Sequence, residues 1–268
     1  MINFWDKPNY KSNIQFLIDI PIREYDISKA NINVLRDANI LSEEQYQYFL
    51  HCPKLEREIA IGKMQGNDPS ISLALKEGIT NARRVFMEMN AINPSDVLAI
   101  RNDAIMVIGD RYMKTDITDR VKFRLSGDYR SFYRINRMHL YYNFDLITKT
   151  EVLDIKGLGD LGVALHKDFM LEFMSELFYT AQIEGVEMAI KLLANVYSQY
   201  INKSLSIEYY RELNEMSRYK LSNMSDFSSW YLESASEYHK KFLDISYNEQ
   251  IFRELNRIYA SIYFKMKH

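Results

Sequence analysis

The sequence predicts an α+β protein, with a strand-bearing first part over about residues 12–156 and an almost wholly helical part from 157 to 268. Three observations predict it. Short runs such as Ile22–Ile27 alternate apolar and polar residues, the period of a strand. Proline, asparagine and aspartate punctuate those runs where turns and helix starts need them. From Gly162 onward the apolar residues recur at the helical period instead.

In order, Asn13–Ile20 has strand composition, interrupted by Pro21, and Ile22–Ile27 continues extended. Ser28 is placed to cap a short helix reaching Asn39. Ser42 followed three residues later by Gln45 has the spacing of a capping box and opens a second helix. Pro53 suits the first residue of a third helix, about 54–65, that ends near Gly66. Asp68-Pro69 starts a fourth, whose Leu73, Leu75, Ile79, Ala82, Val85, Phe86 and Met89 gather near one side. Val97–Ile100 and Ala104–Ile108 flank Arg101-Asn102-Asp103, a tight hairpin because Asn and Asp tolerate the positive φ such turns demand. Residues 120–155 hold three or four further strands. Helical segments then run over about 164–202, 207–219, 227–245 and 248–264.

Composition bounds the function classes. With 47% hydrophobic and 26% charged residues and a net charge of −2, the chain is neither disordered nor coated in basic surface. The lone Cys52 excludes an internal disulfide framework and fits a reducing, cytoplasmic setting. No leader-like apolar run and no eighteen-residue apolar stretch occurs, so no membrane association is expected. The many Asn, Ile, Lys and Tyr residues fit an AT-rich, virus-encoded source.

The average charge hides a local excess. Between Arg111 and Tyr142 lie eight basic residues (Arg111, Lys114, Arg120, Lys122, Arg124, Arg130, Arg134, Arg137) against three aspartates. They interleave with aromatics such as Tyr129 and Tyr133. On strands, Lys122, Arg124, Arg130 and Arg134 could meet a nucleic-acid backbone while Tyr133 stacks on a base. The plainer alternative is a half-exposed sheet with its aromatics in the core and its arginines solvated.

Two aspartates end apolar strands. Asp26 lies in Glu24-Tyr25-Asp26-Ile27-Ser28, a strand entering a helix, and Asp103 lies at the hairpin tip. Helices carrying Lys54, Arg57 and Lys63 lie between them. Two carboxylates so placed can hold Mg²⁺ for phosphoryl chemistry, with basic side chains on the phosphates. Alternatively, Asp26 caps the following helix and Asp103 is an ordinary turn residue.

Tyr25-Asp26-Ile27-Ser28-Lys29-Ala30-Asn31-Ile32-Asn33-Val34-Leu35 resembles the first palm motif of family A DNA polymerases, and Asp103 falls where that family places its third. The resemblance covers about residues 14–110. It implies a palm-like antiparallel sheet within 1–156, a thumb-like helical domain over 157–268, and Mg²⁺ held by Asp26 and Asp103. Lys54, Arg57 and Lys63 would then face triphosphate. The family's third motif is His-Asp-Glu, whereas Asn102 and Ala104 flank Asp103 here, so the core implied is minimal or catalytically silent.

Gly157-Leu-Gly159-Asp-Leu-Gly162 matches a phosphate-binding fingerprint, but a helical region follows where a second strand is required, and a junction is the better reading. Phe169, Met170, Phe173, Met174, Leu177, Phe178 and Tyr179 form an apolar belt, part core and part a candidate face for a homo-oligomer or protein partner. The two functions expected are therefore a nucleic-acid-associated, polymerase-like core and a non-catalytic structural protein that assembles through its helical half.

Overall fold

The computed structural model describes residues 6–135, 138–156 and 167–201. It is α+β, with two antiparallel sheets and six helices among those residues. The glycine fingerprint at 157–162 and the helices expected beyond residue 201 lie outside them. No described helix is long and apolar enough to cross a membrane.

The described residues fall into two compact units, one with those up to 14 and 21–128, the other with 15–20 and those from 129 onward. The first contains β1 (Asn9–Lys11), β3 (Ile22–Ile27), α1 (Ala30–Asp37), α2 (Glu43–His51), α3 (Lys54–Asn67), α4 (Pro69–Met89), β4 (Val97–Arg101), β5 (Ala104–Ile108) and most of β6 (Phe123–Tyr129). Its sheet runs in the order β1-β4-β5-β3-β6. Both β3 and β4 pair antiparallel with β5, so they run parallel to each other on either side of it. The four helices form the crossover between them, which makes a split β-α-β unit.

Local chemistry explains these elements. Ser42 caps α2, accepting from Gln45 N at 3.1 Å while its own N–H donates to Gln45 Oε1 at 2.9 Å. Asp68 accepts from Ser70 N at 2.9 Å and Pro69 occupies the first turn of α4. Ser28, however, does not cap α1. The N-cap is Lys29, in a left-handed conformation at φ 46° with no side-chain cap bond. Along α4 the buried stripe is Ile71, Leu75, Ile79, Ala82, Arg83, Phe86 and Met87; Leu73 faces solvent and Arg83 takes a core position. Tyr25, Ile27, Val34, Phe86, Ile100 and Ile105 belong to the core that these helices form on one face of the sheet.

The second unit contains β2 (Phe16–Leu17), β7 (Ser131–Ile135), β8 (Met138–Asp145), β9 (Thr150–Lys156), α5 (Lys167–Ile183) and α6 (Val186–Ile201). Its sheet order is β2-β7-β8-β9. The strand expected over 13–20 contracts to Phe16 and Leu17, and beyond it Asp19, at φ 49°, leaves the extended region. The helix expected over 164–202 is two helices. Gly185, at φ 97°, ends α5 with its N–H donating to Thr180 O at 3.1 Å. Phe173, Met174, Leu177 and Phe178 of the apolar belt pack with Phe16, Tyr133, Leu140 and Tyr142 into this unit's core.

Candidate functional site

Asp26 and Asp103 converge at one end of the first unit's sheet. In the β3–β5 ladder Asp26 is the cross-strand partner of Ala104, the residue next to Asp103. The Ile27 N–H donates to the Asp103 carbonyl at 3.2 Å. Tyr25 and Ile27 enter the helix-covered core, so strand alternation turns Asp26 to the opposite face.

Each aspartate is held by its surroundings. After β3, Asn33 donates to the Ser28 carbonyl at 2.7 Å and accepts from the Tyr46 hydroxyl at 2.9 Å, fixing the turn into α1. Asp26 caps nothing there; its partner is Arg124 of β6, with Nη2 3.4 Å from Oδ2. At the hairpin, Asn102 takes φ 51° and its N–H donates to Pro8 O at 2.6 Å. Arg83, only 1% exposed, donates to the Asn102 carbonyl and to Thr80 Oγ1, the latter at 3.1 Å. A buried guanidinium thus braces the peptide that presents Asp103.

The electrostatics follow from that placement. Burial pushes the Asp103 carboxyl above the usual carboxylate range, and the Asp26 charge adds to it. Glu58 pushes the same way and Lys54 opposes. Both lie on α3, where Glu58 accepts from Asn31 Nδ2 at 2.7 Å, tying the helix to the segment after β3. Burial lowers the Arg83 guanidinium, while Asp6 and Asp103 counteract it.

Of the residues that the sequence singles out, the structure sets Asp26 and Asp103 at one end of the sheet, Arg124 beside Asp26, and Lys54 near enough for its charge to act on Asp103. Arg57 is buried on the inner side of α3. Lys63 lies nine residues beyond Lys54, about 14 Å of helix rise. Lys122 pairs with Asp116 at 3.1 Å. Arg130, Tyr133 and Arg134 belong to the second unit. There Arg130 grips Asp19 through Nε at 3.0 Å and Nη2 at 2.7 Å. Tyr133, expected to stack on a base, is 1% exposed with its ring edge-on to Phe16 at 5.8 Å, so it has no face to offer. The Arg134 guanidinium is lowered by burial. Glu58 and Arg83 were not singled out. Arg83 carried a signal, since it is a cation four residues after Ile79 and three before Phe86 on an apolar stripe.

Two hard carboxylates suit Mg²⁺, which keeps water and commonly takes only one or two protein carboxylates beside substrate phosphates. Among the described residues, no three His, Cys, Asp or Glu side chains form a set able to hold a metal by themselves. An ion here would complete its shell with water or with the oxygens of a ligand.

No curated protein matches the chain. Residues 1–261 match the family model described as Bacteriophage PBS1 gene 130 protein. The viral source that the composition suggests agrees with that match, and the chain belongs to the bacteriophage PBS1 gene 130 protein family.

Proposed function

We propose that this phage protein is nucleic-acid-associated and that its first unit is a reduced, polymerase-palm-like core, with Asp26 and Asp103 as its Mg²⁺ ligands. One observation carries the reading: the β3–β5 register brings two aspartates 77 positions apart to the same end of one sheet. The split β-α-β order, a strand ending in one aspartate and a hairpin tipped by another, supports it. So does the failure of the plainer account of Asp26, which caps no helix.

In this reading Lys54 and Arg124 would meet phosphate oxygens, Arg124 giving up its contact with Asp26 to do so. Bound Mg²⁺ would supply charge neutralisation between the two carboxylates and the phosphates. The protein's own part is to keep Asp103 presented through the Arg83-braced turn. Burial and the Asp26 charge raise the Asp103 carboxyl, and a cation beside it would act in the opposite direction and favour the ionised form.

The test is Mg²⁺- or Mn²⁺-dependent release of pyrophosphate from nucleoside triphosphates with single-stranded DNA or RNA present. Asp26→Asn and Asp103→Asn are expected to lower it by about 100-fold or more with circular dichroism unchanged. Full activity in either variant removes that aspartate from the mechanism.

A second reading, a non-catalytic structural or interaction protein, is favoured by the Arg124–Asp26 ion pair and by the lack of a third carboxylate in a metal-holding set among the described residues. Absence of pyrophosphate release with any template, together with stable assembly and no salt-dependent nucleic-acid binding, would select it.

A further inference from the structure

The helix α3 has two apolar sides. Its core side carries Arg57 and Ile61. At about 100° per residue, Leu55, Ile59, Gly62 and Gly66 line up on the opposite side with the 4-3-4 spacing of a coiled-coil seam. Leu55 is 72% exposed and Ile59 50%, and both glycines face solvent. A Cβ added at Gly62 or Gly66 would meet nothing within 4 Å, so nothing within the described fold requires glycine there. Glycine also weakens an exposed helix relative to alanine. Two large side chains in the first half and two glycines in the second thus make one exposed seam whose ends are complementary in shape.

The charges show what fits it. Glu56 and Lys63 flank the seam on the same side, one in each half, and both are exposed. When two such helices pack antiparallel about a twofold axis, each flank meets the same flank of its mate with the ends reversed. Glu56 of one copy then lies beside Lys63 of the other, twice. In the same register Leu55 sits over Gly66 of the second copy and Ile59 over Gly62. A parallel pairing would instead set each glycine opposite a glycine and each glutamate opposite a glutamate.

We propose that α3 is a self-association surface, and that two copies of this chain pair antiparallel through Leu55 and Ile59 seated on Gly66 and Gly62. One helix pair buries less than a standard interface, so the dimer is reversible and concentration-dependent. This contact is distinct from the oligomer face expected in the helical half.

Sedimentation equilibrium of the full chain across micromolar to sub-millimolar concentrations tests it. The wild type is expected to show a monomer–dimer equilibrium, and Ile59→Lys to be monomeric at every concentration with its helicity retained. Glu56→Lys alone should weaken association by about tenfold, because two like-charged contacts replace two ion pairs. Combining Glu56→Lys with Lys63→Glu should restore the wild-type constant, an outcome that general damage to α3 would not produce. A wild type that stays monomeric overturns the proposal, including the case in which this face binds only a different protein. So does a dimer indifferent to Ile59→Lys, and so does a charge-swapped double variant that remains as weak as the single one.

Discussion

Replacing Gly78 by alanine should destabilise the protein, against the usual expectation for a glycine inside a helix. Alanine is the better helix former by about 1 kcal/mol. At this position a Cβ would run into Val34 Cγ1 of α1, and the next two nearest atoms, at 3.5 and 3.7 Å, also belong to Val34. Val34 is 4% exposed and β-branched, so its side chain has little freedom to turn away. Overpacking of this kind costs about 1–3 kcal/mol, which exceeds or offsets the helical gain. The net effect expected for Gly78→Ala is a loss of up to about 2 kcal/mol. Val34→Ala alone should cost about 2 kcal/mol through lost burial and the space it leaves. In that background the clash is gone, and Gly78→Ala should stabilise by up to about 1 kcal/mol. Denaturant midpoints for the four proteins of the cycle measure the coupling, expected to be at least about 1 kcal/mol. A Gly78→Ala variant more stable than wild type in both backgrounds would refute the reasoning. The contact matters because α1 follows Asp26 and α4 carries Arg83.

Two further outcomes are expected. Burial and Asp26 raise the Asp103 carboxyl in the folded state, so below the ordinary carboxylate range both states keep the proton and the group contributes nothing. As pH rises, the unfolded chain ionises first and native stability falls, with the loss complete above the folded-state value; Asp103→Asn should therefore be the more stable protein at neutral pH, with the gap closing in acid. Thermal midpoints of both proteins across that pH range decide it, and a gap independent of pH would contradict it. In the second unit, Gln182 of α5 accepts from Phe144 N at 2.9 Å and donates to Phe144 O at 2.7 Å and to Asn143 Oδ1 at 3.1 Å. Gln182→Leu leaves those backbone groups of β8 without their partner and should cost about 1–3 kcal/mol in a chemical denaturation curve, whereas a neutral result would show that water replaces the side chain.

Much of the first unit was legible because its signals are local. The Ser42–Gln45 box and the Asp68-Pro69 start each satisfy backbone groups within a few residues of themselves, and Asn102 takes the positive φ that its turn demands. Local signals failed where a distant partner won. Ser28 has good capping chemistry, yet its N–H donates to Lys122 O at 2.9 Å and the helix begins later. Tyr133 sits in a basic, aromatic run that suits nucleic acid, but the alternation of β7 and the arrival of α5 put its ring in a core. For the candidate site, both aspartates were visible as strand-end residues; Arg83 showed only as a cation on an apolar stripe, and its bond to the Asn102 carbonyl, like that of Glu58 to Asn31, was not visible because each links separate elements.

By itself the sequence determined the α+β class, the starts of α2 and α4, the hairpin and the lack of an eighteen-residue apolar run, since all of these depend on residue spacing and near-neighbour hydrogen bonds. Only the tertiary structure decided that β2 and β7–β9 group with α5 and α6, and that Asp26 and Asp103 share one end of a sheet. The reason is physical. Strand order and register are set by which apolar faces bury against each other over long separations, and a shift of one residue in register would turn Asp26 into the core.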